Sequence, residues 1–440
     1  MTGSLYNIQH KFRSQIKNDF FELKSDLKFS YFEAFLSSFI VGIAENFFAA
    51  FSIEKGMTTI QSGLLLSLPL IFAIGLNLFF NFYKTKKSIT QQVSRNVLLQ
   101  IFSLFGLIAL SSLKIQNTQI IFIILMGLYS VYWYGNFASQ PAWNTWISEI
   151  LDFNKGSVYF ALRARLNQMG IITGLIVGGL FMQSKTLQNI YQSKPEYLFS
   201  LLFGMAVVAQ FLKFYSFKKH PDSSSVMNFS FKKIQNIFLN NKSFFLGYSL
   251  FNTSLFLSAP YVTGYLLTER KVDYPHFMMI TASLFVGKIM TTFFLSANTN
   301  KYSPMKMMSL GGLVAAPLPL LWPFCHNIES MFLLHFVSGT AWGLWEVGLS
   351  LSFFKNITAA DKNETVTLYN MIGIMTQVIG TCIGALCIKY VFNYNFTTVF
   401  ICSGLIRLLC VLPLQKSKSL SGSNTISSKN VFDPENQKAS

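Results

Sequence analysis

The sequence predicts an all-α polytopic membrane protein whose twelve transmembrane helices form two pseudo-symmetric six-helix bundles. Three observations predict it. The chain of 440 residues is 51% hydrophobic and only 12% charged, where an ordinary soluble domain is about 25% charged, and its mean hydropathy is +0.41. Apolar runs recur from end to end, each long enough to cross a hydrocarbon core of roughly 30 Å. A polar stretch at 218–242 divides those runs into two equal sets of six.

The spans are expected near 30–53, 60–83, 93–113, 119–146, 158–183 and 196–217, then 243–267, 276–297, 305–325, 330–354, 365–389 and 394–414. They are read as helices because a backbone in lipid must satisfy its own hydrogen bonds, and the alternating ten-residue strands of a membrane barrel are absent. The division that follows is an amphipathic tail at 1–29, bundles at 30–217 and 243–414 around the central loop 218–242, and a Ser-, Asn- and Lys-rich tail at 415–440 expected to be disordered. In the first tail Leu5, Ile8, Phe12, Ile16, Phe20, Leu23 and Leu27 step by three or four. Such a helix lies in the membrane interface or on the protein's own cytoplasmic face. No cleavable signal peptide is expected, because this region is polar rather than an apolar run.

Orientation follows from Lys and Arg placement. Of the 35 basic residues, 25 fall on the side of the two termini, 7 on the other and three inside spans. Both termini are therefore expected in the cytoplasm, and the net charge of +17 is a topology signal rather than a sign of nucleic-acid binding. The five cysteines, Cys325, Cys382, Cys387, Cys402 and Cys410, lie in or at the edge of spans without a CxxC pair. Neither a disulfide framework nor a zinc site is indicated. There is no HExxH, GxSxG, P-loop or glycine-rich nucleotide fingerprint, so the sequence does not read as an enzyme, and no cofactor or metal is expected.

Two halves invite a search for a repeat. "PAWNTW" at 141–146 and "TAWGLW" at 340–345 share a tryptophan spacing, but at about 1.5 Å rise per residue they sit at different depths of their spans. "NQMGIIT" at 167–173 and "NMIGIMT" at 370–376 are the better pair, since both lie early in the fifth helix of their set. Each continues with small residues at every fourth place, Gly170, Gly174 and Gly178 in one, Thr376, Gly380 and Gly384 in the other. Such faces let helix backbones approach closely.

A charge at mid-membrane costs roughly 2.5–3.5 kcal/mol even on the lenient insertion scale, so Glu45, Lys288, Glu346 and Arg407 need a reason. Lys288 and Glu346 are expected to pair. In span 4, Tyr129, Trp133, Asn136, Gln140 and Asn144 form one helical stripe; span 10 carries His335, Gly339, Trp342 and Glu346; span 1 carries Ser38, Gly42 and Glu45 with Asn46 beside them; span 7 carries Tyr248, Asn252 and Ala259. Polar and aromatic stripes of this kind suit a small-molecule site near the midplane. Glu45 and Asn46 equally suit an internal hydrogen-bonded lock. Arg163 and Arg165, at the cytoplasmic edge of span 5, suit snorkelling or a gate.

"EAFLSSFIVGIAENFFAAF" (33–51) with "QSGLLLSLPLIFAIGLNLFF" (61–80), and "PAWNTWISEIL" (141–151) with "GSVYFALRARL" (156–166), resemble bacterial proteins of the major facilitator superfamily. The resemblance covers about 30 to 414. It departs in the loops after spans 2 and 8, where "NFYKTKKS" lacks the family's acid and Asn300 stands in its place. The resemblance implies that spans 1, 4, 7 and 10 line a central cavity, so that Glu45, Asn46, Trp133, Asn136, Gln140, Asn252, Trp342 and Glu346 become candidate solute contacts. Glu45, Lys288 and Glu346 become candidates for proton coupling or a buried ion pair. The expected function is secondary active transport of a small organic solute across a bacterial cytoplasmic membrane by alternating access, with a proton as candidate coupling ion. The expected partners are the solute and the bilayer, no nucleic acid, and the chain is expected to be a monomer. A non-transporting sensor or scaffold of the same fold and a lipid or glycolipid flippase stand as alternatives.

Overall fold

The computed structural model describes residues 27–82, 89–150, 156–183, 189, 196–217, 231–296, 303–357 and 359–415. The tail stripe from Leu5 to Leu23, the loops that carry the departures after spans 2 and 8, and the C-terminal tail from 416 lie outside the described residues. Among the described residues the regular elements are all helical. Span 1 runs over Leu27–Glu54, span 2 over Thr59–Phe82, span 3 over Ile89–Ser112, span 4 over Thr118–Ile150, span 5 over Gly156–Gln183 and span 6 over Glu196–Phe217. Span 7 occupies 242–269 in several pieces, span 8 Tyr274–Ser296, span 9 Pro304–Phe324, span 10 Ile328–Asn356, span 11 359–391 and span 12 Phe396–Gln415.

Ten of these helices are long and apolar enough to cross a membrane. The two others are spans 7 and 10. Span 7 has no unbroken piece longer than its 15-residue first segment, and span 10 is diluted by His335, Glu346 and two tryptophans. Spans 2, 4, 8, 10 and 12 begin on polar caps, which accept the amide hydrogens a helix start leaves over. Thr58 and Gln61 form a reciprocal capping box for span 2, with Gln61 N donating to Thr58 Oγ1 at 3.2 Å and Thr58 N to Gln61 Oε1 at 2.9 Å. Asn117, Asp273, Asn327 and Asn395 cap spans 4, 8, 10 and 12 through their side-chain oxygens.

By contact the chain divides into two units, one of residues 1–226 with 263–286, the other of 227–262 with 287–440. In the first, span 1 packs most extensively on span 5, and span 3 on spans 4 and 6. Its core is aromatic: Phe48, Phe51, Phe199, Phe203 and Tyr129 are fully buried, with Phe48 stacked on Tyr129 at 4.5 Å. In the second, span 7 packs on spans 11 and 12 and span 9 on span 10, around Phe244, Phe245, Phe251, Trp345, Val411 and Leu414.

Lipid tails are as apolar as leucine, so close packing rather than exclusion of water must hold such helices together. The small-residue faces supply it. A Cβ on Gly174 would lie 2.5 Å from the Phe39 carbonyl oxygen, and one on Gly380 would lie 2.4 Å from that of Thr253. The two contacts are equivalent, since Phe39 and Thr253 each stand five residues before a break in their helix, at Ala44 and Ser258. The sequence words would instead pair Gly174 with Gln377, almost one helical turn away.

The polar stretch 218–242 hides a helix, Phe231–Asn240. Ile234, Ile237 and Phe238 line its inner face, and Ile237 enters the core of the second unit. Lys233 on its flank reaches Glu364 at 2.9 Å and Asp361 at 3.3 Å at the start of span 11. Burial lowers the affinity of this ammonium for its proton, but the two carboxylates more than offset that and hold its pKa above the ordinary lysine value.

Candidate functional site

Span 1 breaks where its charge sits. The helix Leu27–Ile43 ends at Ala44, whose φ of −128° and ψ of −57° leave helical geometry, and a 3-10 turn over Glu45–Phe47 leads into a second helix, Phe48–Glu54. Glu45 therefore begins the second piece, where the positive end of the helix dipole favours a carboxylate. The buried Tyr132 of span 4 donates its hydroxyl to Glu45 Oε1 at 2.6 Å, and Gln210 of span 6 borders that hydroxyl. Hydrogen bonds to a charged group contribute about 1.5–3 kcal/mol, enough to offset much of the cost of placing the acid in the membrane. One turn away, Tyr129 donates to the Phe48 carbonyl at 2.8 Å, so span 4 is stitched to both sides of the turn. Among the described residues Glu45 makes no ion pair, and the buried Asn46 Nδ2 has no acceptor.

A second charged cluster lies nearer the N-terminal end of span 1. Arg163 meets Glu33 Oε2 at 2.8 Å and donates to the Ser30 carbonyl at 2.8 Å, and its guanidinium lies 4.1 Å from the centre of the Trp143 ring. Ser37 donates to the other Glu33 oxygen at 2.7 Å, and Ser30 Oγ bonds the Tyr159 hydroxyl. Arg165, two residues on and so about 200° around the helix, is half-buried and has no place in this cluster. Glu33 was missed in the sequence because it stands at the predicted start of span 1, where an acid costs little. Its signal was the Arg163 that answers it.

The remaining span 4 candidates are half-buried: Trp133 stacks on Phe137 at 6.0 Å, and Asn136 lies one turn along. The side chains of Gln140 and Asn144 lie outside the described residues.

In the second unit, spans 8 and 10 touch through Gly287, where a Cβ would stand 2.3 Å from the Phe336 carbonyl oxygen. That approach lets the next residue, Lys288, donate to Glu346 Oε1 at 2.5 Å. The Glu346 side chain is 47% exposed, and an ion pair of that exposure belongs on a wetted wall rather than against lipid tails. Trp342, one turn earlier, is half-buried between Phe251 and Trp345. Beneath it Tyr248 stacks on Tyr369 at 4.3 Å and Trp345 Nε1 donates to the Tyr369 hydroxyl at 3.4 Å. Asn252 is buried and commits its amide to the Gly373 carbonyl at 2.9 Å and Thr376 Oγ1 at 2.7 Å, so its amide nitrogen serves helix packing and only its oxygen is left for a solute. His335 sets its ring edge-on to Trp322 at 5.2 Å, with Nδ1 buried and without a partner among the described residues.

No protein-family model and no curated protein matches the sequence. Solved structures do. A D-xylose-proton symporter aligns over 90% of this chain and 97% of its own with a TM-score of 0.66 at 12% identity. A nucleoside transporter aligns over 89% and 99% with a TM-score of 0.64 at 14% identity, and a peptide transporter over 90% and 94% with a TM-score of 0.64 at 13% identity. At such identities the likeness is one of fold, and the fold is the twelve-helix, two-bundle architecture of major facilitator transporters.

Proposed function

We propose that this chain is a secondary active transporter that moves a small organic solute across the cytoplasmic membrane of a bacterium by alternating access, with proton coupling through Glu45. The halves are residues 30–217 and 243–414, both termini are cytoplasmic, and the chain acts as a monomer. The observation that carries the reading is the carboxyl of Glu45 at a mid-membrane helix break, hydrogen-bonded by the Tyr132 hydroxyl and attracted by the Lys213 ammonium of span 6, but in direct contact with no base among the described residues. A carboxyl so placed can change protonation more cheaply than an acid locked to a base, because when it takes up a proton the Lys213 ammonium still faces Glu33. Glu346, already balanced by Lys288, suits solute binding better, together with Trp342 in its unit; Asn46, Trp133, Asn136 and Gln140 are candidate solute contacts in their own unit. Arg163 and Glu33 form a gate at the cytoplasmic edge. That solved structures of this fold include a D-xylose-proton symporter and peptide and nucleoside transporters supports the class of activity.

The test is uptake and efflux screening in proteoliposomes with and without a pH gradient. Gradient-driven flux that Glu45→Gln removes while folding is kept supports the proposal. Wild-type flux indifferent to the gradient sinks proton coupling, and no flux with any solute favours a non-transporting protein of the same fold.

A further inference from the structure

Span 7 is broken for a reason written in its sequence. It runs as a regular helix over Lys242–Phe256, loses that bonding at Leu257 and Ser258, and continues through a 3-10 turn at Ala259–Tyr261, a single turn at Val262–Gly264 and a wide turn at Tyr265–Glu269. Pro260 has no amide hydrogen, and its ring excludes the carbonyl four residues back. The chain falls back on shorter bonds, Ser258 N to the Leu255 carbonyl at 3.4 Å and Tyr261 N to the Ser258 carbonyl at 3.0 Å. The Ser254 and Leu255 carbonyls thus lose the amides an unbroken helix would give them, in a place where lipid offers no water instead.

Span 12 supplies what is missing. Arg407 donates through Nη2 to the Leu255 carbonyl at 2.8 Å and to Ser258 Oγ at 2.9 Å, and through Nε to the Ser254 carbonyl at 3.4 Å. Ser403 Oγ donates to the Ser254 carbonyl at 3.0 Å and receives Ser258 Oγ at 2.9 Å. Arg407 is 6% exposed and pairs with no acid among the described residues. Its counter-charge is the negative end of the inner half-helix, equivalent to about half an electron charge.

The packing of the two pieces also changes at this point. The contact division of the chain falls between Val262 and Thr263, one residue after the 3-10 turn. Inward of it, Gly247 packs against Leu414 and Tyr261 donates to the Thr381 carbonyl at 2.6 Å. Beyond it, Thr268 meets Thr59 at 3.2 Å, and Tyr274 donates to Glu54 at 3.0 Å. We infer that Arg407 is the positioning residue of the break in span 7: with Ser403 it takes up the Ser254 and Leu255 carbonyls that the interrupted helix leaves short of amide donors, so the two pieces of span 7 persist as separate elements in lipid.

The test needs no solute, so its failure is distinct from failure of the transporter reading. Thermal unfolding of the full-length protein in detergent is compared for wild type, Pro260→Ala, Arg407→Met, the double variant and Arg407→Lys. With Pro260 present, Arg407→Met lowers the melting temperature by roughly 5 °C or more, or prevents folding, and Arg407→Lys recovers part of the loss. With alanine at 260, the same substitution costs less than half as much, and hydrogen exchange across 257–264 slows about tenfold as the helix closes. An equal loss in both backgrounds, loss of folding in both, no loss with Pro260 present, or failure of Pro260→Ala alone to fold overturns the inference.

Discussion

The breaks in spans 1 and 7 are the same device with opposite electrostatics. Each lies at a residue with φ near −125°, −128° at Ala44 and −124° at Ser258, and each is followed by a three-residue 3-10 turn. A broken helix exposes two dipole ends, negative where the first piece stops and positive where the second piece starts. In span 1 the compensating charge is Glu45, at the positive end; its hydrogen-bond partner is a neutral tyrosine, with the Lys213 ammonium attracting it from span 6. In span 7 it is Arg407, at the negative end, and its partners are carbonyls and hydroxyls. Carboxylates titrate within the physiological range when their surroundings allow it, while guanidinium does not. The first break is therefore suited to carry a proton and the second to hold a shape.

Substitutions at the two breaks should then differ in kind. The largest loss of stability is expected for Arg407→Met, roughly 2–4 kcal/mol, since the bonds of its charged group to the Leu255 carbonyl and Ser258 hydroxyl are lost at about 1–2 kcal/mol each; unfolding in detergent checks it. Tyr132→Phe should cost less, about 1–2 kcal/mol, because it strips one bond from Glu45 but leaves the acid free to protonate. That comparison sharpens the contrast, since an equal or larger loss at Tyr132 would make the first break as structural as the second. Smaller still is Lys288→Met, expected within about 1 kcal/mol because Glu346 is 47% exposed; its effect should be read in solute affinity instead. Lys233→Met should also stay within about 1 kcal/mol, as it loosens only the connecting helix at its half-buried flank.

Ten of the spans were legible because hydropathy reports each one locally, while spans 7 and 10, broken or diluted by polar residues, are weaker signals. Contacts were legible only where charge forces a partner, as with Lys288 and Glu346, which have few other ways to sit in a membrane. The span 7 break could have been read from Pro260, but the stripe through Ala259 passed over it. The span 1 break has no proline or glycine at the turn, and it rests on what Tyr129 and Tyr132 do from another helix. Nothing local announces it. The stripe drawn through Tyr129, Trp133 and Asn136 left out Tyr132 for the same reason: a tyrosine in a span reads as cavity lining or packing until its partner is known. The repeat was visible in words but in the wrong register, since "NQMGIIT" and "NMIGIMT" match as text whereas helix packing matches Gly174 with Gly380. The connecting helix at 231–240 escaped because its lysines and asparagines mask three core contacts.

The most direct test of the central claim is solute-dependent proton movement into proteoliposomes, followed with a trapped pH-sensitive dye once a transported solute has been found. Wild-type protein should acidify the lumen as solute enters. Glu45→Gln should fold with at least wild-type stability, exchange solute across the membrane, and move no protons with it. Proton movement by Glu45→Gln equal to that of the wild type would contradict the assignment of Glu45 as the proton carrier.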